Sequence, residues 1–305
     1  MQRLQKNVLT IITAVVLASS TIVYSPVASQ TKPDTQKTAI FDLHGVLIRT
    51  SGEVQAVGLG NFLYYAMRAW PNPLRLKETI KKSFFGFLHS IQPPNSLQPV
   101  ALDPDGTPVP QIMVDWLTGA QSTAVILKKI ETAALTHSPK IEVPLLLAIC
   151  RMTFSPEQFI MTQEWVEEGL ELAYELKERG YKIYILSNWD PESFELLKEY
   201  YPEILSRFDG IMISGNAQSI KPDCTPGNIY EQLLQKYSIN PERAVFIDDL
   251  EVNVKAAQTR YGIRGIICQQ NRMITKPWAK YPDIAQVRRE LHAWEFNYGT
   301  RLAGV

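Results

Sequence analysis

Thr38-Ala-Ile-Phe-Asp42-Leu-His44-Gly45 is a short, mostly apolar run that ends in an acid and is followed closely by a glycine. A buried strand handing its last residue to a loop has this layout. The same layout recurs at Tyr181-Lys-Ile-Tyr-Ile-Leu-Ser187 and at Arg243-Ala-Val-Phe-Ile-Asp248-Asp249. Helical periodicity accompanies these runs over 164–179, 191–200, 225–237 and 251–261, and two further apolar runs, Gly210-Ile-Met-Ile-Ser214 and Gly265-Ile-Ile-Cys268, complete five candidate strands. Strands alternating with helices predict an α/β fold with a doubly wound, mostly parallel, Rossmann-like sheet. Ligands of such sheets bind beyond the carboxyl ends of the strands, where Asp42, Ser187, Asp248 and Asp249 all fall.

The chain has 305 residues, 45% of them hydrophobic and 20% charged, enough to bury a substantial core. Lys plus Arg and Asp plus Glu are equal at 31 each, so net charge favours neither nucleic acid nor an anionic membrane as partner. Cys150, Cys224 and Cys268 lie far apart and show no C-x-x-C spacing, which reads as buried small hydrophobes, with one disulfide open if the protein is exported. At the N-terminus, Arg3 and Lys6 precede an uncharged stretch over 8–24, and small residues follow at Val27, Ala28 and Ser29. This predicts a secretory signal over 1–29 with cleavage between Ser29 and Gln30, and hence a periplasmic or secreted protein; a cut after Ser20 is the second position considered. An uncleaved anchor helix, the one route to a membrane, is the alternative, since 8–24 stands at the short edge of what spans a bilayer. Residues 30–37 read as a tether.

Between the first two strands lies an insertion, 51–155, with helical periodicity over 61–70, 74–89, 120–135 and 143–153, a long loop over 92–110, and no clear strand. Ser155-Pro-Glu-Gln158 predicts a capping box that opens a new helix into the core. The core is then 38–50 and 156–270, and 271–305 is a C-terminal helical extension.

Four sites stand in order along the chain: Asp42-Leu-His44-Gly45, Ser187-Asn188, Lys221-Pro-Asp223, and Asp248-Asp249 with Asn253. Each alone has an ordinary structural explanation: a loop lysine before proline, a capping turn, a solvated acidic turn. Together they resemble the four signature motifs of the haloacid dehalogenase superfamily. The resemblance covers about 38–268 and is nearly continuous from Ser214-Gly to Ala257. It implies a magnesium-dependent hydrolase of small phosphate monoesters, with a small phosphorylated metabolite as partner. Asp42 would be the nucleophile, forming an aspartyl phosphate. Mg²⁺, which prefers oxygen ligands, would be held by Asp42, Asp248, Asp249 and the backbone carbonyl of His44. By the same resemblance, Lys221 supplies fixed positive charge, the Ser187 hydroxyl and Asn188 contact phosphoryl oxygen, and Asn253 braces the acidic loop or Lys221.

Phosphatases of this superfamily usually carry Asp two residues after the nucleophile; here it is His44. With an unperturbed pKa near ~6.5, imidazole can serve as acid toward the leaving group and base toward water. Family members that displace halide from 2-haloacids also lack that second Asp, which keeps a 2-haloacid dehalogenase as the alternative; they need no metal, and Asp248-Asp249 argues for the phosphate branch. A binding protein that keeps the fold but has weak turnover is a third reading.

The insertion occupies the place of the family's helical cap. Its aromatics, Phe62, Tyr64, Tyr65, Trp70, Phe84, Phe85, Phe87 and Trp116, read mainly as core, and His89 and His137 lack ligand spacing. His292 sits in a helical stretch over 283–296 and receives no role.

Overall fold

The computed structural model describes residues 36–51, 76–92, 107–223, 225–272 and 280–303. The expected export signal, most of the expected tether, the expected helix over 61–70 with Phe62, Tyr64, Tyr65 and Trp70, most of the expected loop over 92–110, and Cys224 lie outside the described residues.

The first apolar run forms β1 (Thr38–Phe41), and a tight turn leads to β2 (Ile48–Thr50). The insertion follows with α1 (Leu76–Ile91), α2 (Gln111–Leu117), α3 (Thr123–Thr136) and α4 (Val143–Phe154), after which α5 (Pro156–Met161) and β3 (Gln163–Trp165) lead back. The chain then alternates: α6 (Glu167–Glu178), β4 (Lys182–Ser187), α7 (Pro191–Tyr200), β5 (Gly210–Ile213), α8 (Ile229–Lys236), β6 (Ala244–Asp248), α9 (Glu251–Tyr261) and β7 (Arg264–Ile267). It ends in β8 (Gln270–Arg272), β9 (Lys280–Pro282) and α10 (Ile284–Ala303).

Five strands form one parallel sheet in the order β5-β4-β1-β6-β7, as the alternating pattern predicts. Its strands are apolar on both sides because both faces are covered. Ala39, Phe41, Ile183, Ile185, Val245 and Ile247 point to the layer built by α6, α7 and α10, while Ile40, Tyr184, Leu186 and Phe246 point to α8 and α9. Period-two alternation thus feeds two cores from single strands.

The described part of the insertion is helical and has its own core, in which Phe84, Phe87, Trp116, Ile126, Ile130, Leu146, Cys150 and Phe154 pack together. An aromatic column leaves it: Trp116 stands between Phe154 and Phe159, with centroids 5.1 and 5.9 Å away, and Phe159 meets Trp189 at 5.2 Å. The Ser214 hydroxyl accepts from Trp189 N–H at 2.8 Å and reaches the Leu117 carbonyl at 2.8 Å. Glu192, on α7, accepts the first N–H of α3 at Thr123 (2.9 Å), a helix end that Ser122 leaves uncapped. Among the described residues, no helix is long and apolar enough to cross a membrane.

Several boundaries differ from expectation. The helix expected over 164–179 starts at Glu167 because Gln163–Trp165 pairs antiparallel with Ile48–Thr50, a ribbon through which the insertion leaves and returns. The helix expected from 225 starts at Ile229, where Asn228 accepts from Tyr230 and Glu231 N–H. Pro156 does open a helix, but the Ser155 hydroxyl reaches Glu157 rather than the backbone, so the capping box is not formed. Residues 271–305 are not purely helical: β8 and β9 pair before α10 begins.

Candidate active site

Three neighbouring strands of the sheet end at one place. Asp42 follows β1 directly, its N–H held by the Ile247 carbonyl of β6 at 2.9 Å; Ser187 closes β4, and Asp248 closes β6. The carboxylates of Asp42, Asp248 and Asp249 offer oxygen atoms that all lie within 4.8 Å of one another.

Lys221 arrives from the loop before α8 and is buried among them at 2% exposure. Its Nζ lies 3.0 Å from Asp42 Oδ2 and 2.6 Å from Asp248 Oδ2, and donates to the Leu186 carbonyl at 2.9 Å. An ammonium has three donors, and here each has a protein acceptor, so Lys221 is fixed as a charge. Burial works to lower its pKa, but the pull of Asp248 and Asp42 outweighs it and the net direction is up. Asp248, fully buried, is pushed up to about 6 by burial, against the attraction of Lys221.

The supporting contacts are specific. Asn188 receives the Lys221 N–H on Oδ1 at 2.7 Å and donates Nδ2 to the Lys221 carbonyl at 2.9 Å, so both ends of its amide engage one backbone unit 33 residues away. The expectation that Asn188 contacts substrate therefore meets an amide committed to Lys221. Asn253 donates to both Asp248 oxygens at 3.0 and 3.1 Å, and Asp248 Oδ1 also accepts Leu250 N–H at 2.8 Å. The Asn253 brace goes to the acidic loop and not to Lys221. Asn253 Oδ1 itself is buried without a hydrogen-bond partner.

Gly45 shows why glycine follows the acid. Its φ is +82°, and a Cβ there would stand 2.5 Å from the Asp249 carboxyl. His44, exposed beside it, has Nε2 2.8 Å from Thr50 Oγ1. Thr50 was not singled out in the sequence, nor was Gln270, whose Nε2 donates to the Gly45 carbonyl at 2.7 Å. The spectator histidines pack elsewhere: His137 meets the Phe87 ring at 5.1 Å and Glu142 at 3.6 Å, and His89 meets the Pro108 carbonyl at 3.2 Å.

Comparison with known proteins agrees with the motif reading. Residues 157–259 match the family model of haloacid dehalogenase-like hydrolases. Over 87 residues the chain is 34% identical to the sesquiterpene phosphatase astK of Aspergillus oryzae, a match covering 28% of this chain and 42% of that protein. The chain therefore spans less than half the length of that curated relative. Among solved structures, a HAD family enzyme from Bacteroides thetaiotaomicron aligns at 18% identity and a TM-score of 0.47, covering 77% of this chain and 94% of that one. A HAD phosphatase from Thermococcus onnurineus aligns at 15% identity and a TM-score of 0.46, covering 84% and 98%.

Proposed function

We propose, from the match of residues 157–259 to the family model of haloacid dehalogenase-like hydrolases, that the protein is a magnesium-dependent phosphohydrolase acting on a small phosphate monoester through Asp42. One observation carries the reading: three carboxylates converge within 4.8 Å of one another, and a buried ammonium pairs with two of them, Asp42 and Asp248. At that separation two unit charges repel by about 3–4 kcal/mol at an effective dielectric of ~20, and Lys221 offsets only one of the three. A divalent, oxygen-seeking cation fits this donor set of carboxylates, and the residues that would hold it are Asp42, Asp248, Asp249 and the His44 carbonyl. When bound, Mg²⁺ supplies neutralising charge to the phosphoryl oxygens.

The chain's own groups do the rest. The Asp42 carboxylate attacks phosphorus, a P–O bond forms as the ester P–O bond breaks, and the departing oxygen takes a proton, for which His44 is the donor we assign. Water then attacks the aspartyl phosphate, giving its proton to His44 and restoring Asp42. Lys221 supplies a fixed positive charge 3.0 Å from Asp42 Oδ2, and the Ser187 hydroxyl is assigned to a phosphoryl oxygen. The helical insertion is assigned as the cap that selects the leaving group, and the N-terminal segment as the export signal. We include a sesquiterpene phosphate among the esters to screen, because part of the chain is similar to a protein named a sesquiterpene phosphatase.

The test is orthophosphate release from a panel of phosphate monoesters, with magnesium and with chelator. Asp42→Asn keeps the shape but is neither an anionic nucleophile nor a good magnesium ligand, so it is expected to fall to background with its unfolding temperature nearly unchanged. Full activity in chelator, or substantial turnover by Asp42→Asn, sinks the proposal; halide release from a 2-haloacid moves the protein to the dehalogenase branch.

A further inference from the structure

The C-terminal hairpin contacts the segment after Asp42 at two points, one in the turn at Gly45 and one on β2 at Arg49. Gln270, the first residue of β8, donates Nε2 to the Gly45 carbonyl at 2.7 Å, across 225 positions of sequence, with a longer contact to Cys268 O at 3.3 Å. At the far strand, the Tyr281 ring lies 3.9 Å from the Arg49 guanidinium, which Glu164 holds at 2.8 Å. The hairpin is anchored in turn: Asp283 accepts from Gln286 N–H at 2.9 Å and from Asn271 at 3.1 Å, and Cys268 N–H bonds the Asp248 carbonyl at 2.9 Å.

The grip falls where the backbone is most permissive. At φ +82° Gly45 has a freedom that other residues lack, so its two flanking peptide planes need outside restraint. Gly45 N–H bonds the Ile48 carbonyl at 2.7 Å, which fixes the plane shared with the His44 carbonyl, since N–H and C=O of one trans peptide point opposite ways. The next plane, carrying the Gly45 carbonyl, is held by Gln270.

We propose that Gln270 is a positioning residue which, through the Gly45 carbonyl, fixes the turn so that the Asp42 carboxylate and His44 carbonyl are set for the cation. The proposal rests on the metal-dependent reading above. Partners that orient metal ligands are typically worth about 10–100-fold in metal affinity.

The experiment compares the full chain with Gln270→Leu, which removes the donor and ends the side chain one atom short, and with Tyr281→Leu, which loosens the other end of the hairpin. Two readouts are taken: amide hydrogen exchange of the 42–50 segment, and magnesium affinity by calorimetry. Gln270→Leu is expected to speed exchange in that segment while the β4 and β6 segments keep wild-type rates, and to weaken magnesium binding by about 10–100-fold. Tyr281→Leu is expected to change both in the same direction. Wild-type exchange over 42–50, or wild-type magnesium affinity, in Gln270→Leu overturns the proposal. Failure of the phosphohydrolase reading is distinct: the wild type then releases no orthophosphate, while the ratio of wild-type to variant magnesium affinity still reports on Gln270.

Discussion

Imidazole at position 44 can aim a proton only if its ring is oriented, and the Thr50 hydroxyl 2.8 Å from Nε2 is placed to orient it. Thr50 belongs to β2, paired with β3, so the ring is oriented by a ribbon rather than by the mobile end of a loop. If His44 protonates the leaving oxygen, His44→Ala should slow esters with basic leaving groups by about 10²–10⁴-fold and nitrophenyl phosphate far less, read as kcat/KM for the two ester types. His44→Asp should recover much of that loss with a pH profile displaced toward acid. Equal slowing of both esters would make the ring a loop-holder and remove the acid assignment. Asp42 and Asp248 were legible in the sequence for a physical reason, since each closes an apolar run buried on both faces that delivers its last residue to the carboxyl end of the sheet, whereas Lys221, on a loop, was legible only through the motif resemblance. Thr50 and Gln270 were not legible, since their contacts depend on ribbon and hairpin pairings between distant segments.

Among the helices, α7 carries its own pH dependence. Asp190 caps it by accepting Ser193 N–H at 2.9 Å and also takes the Ser193 hydroxyl, which in turn accepts from the Trp189 indole at 2.8 Å. Burial pushes the Asp190 carboxyl up to about 6, despite the Ser193 hydrogen bonds that favour its ionised form. Because the folded value stands above the unfolded one, the folded protein binds the proton more tightly. This contribution to stability is full below pH ~4 and is lost as pH rises toward 6, about 3 kcal/mol at most. Asp190→Asn can still cap the helix but has no proton to lose, so the stability difference between wild type and variant should fall across that window and stay level above it. Urea titrations at pH 4, 5, 6 and 7 check this; a difference independent of pH excludes the linkage. The long elements were readable because several turns of periodicity stand above noise: α7 and α9 match the expected 191–200 and 251–261. Three-residue strands such as β2, β3, β8 and β9 are too short to display alternation, and α2 was hidden because it follows a long loop.

Across the whole molecule, the insertion and the sheet meet where Pro191 lies between two glycines. A Cβ on Gly119 would stand 2.9 Å from its ring and one on Gly215 2.8 Å, so the approach admits no side chain at either position. Ser214 closes the same junction, and Ser214→Ala strands the buried Trp189 N–H and removes the donor to the Leu117 carbonyl. A loss of about 1–3 kcal/mol is expected, with roughly 2–4 °C of melting temperature per kcal/mol for a chain of this size. An unchanged melting temperature would show the hydroxyl to be dispensable. The insertion's separateness was visible as a change of periodicity, but its docking was not, because the contacts join Leu117, Trp189 and Ser214 from three segments. The position of β1 in the sheet sets an order on the ribosome. It is made first, yet both of its edges are covered only by β4 and β6, beginning at residues 182 and 244. Until those emerge, a short apolar strand waits with two open edges, a template for pairing with other nascent chains. Crossings of this length also slow the final search. A chain truncated anywhere before residue 244 would carry Asp42 after a strand with at least one edge uncovered, so incomplete synthesis should yield aggregates.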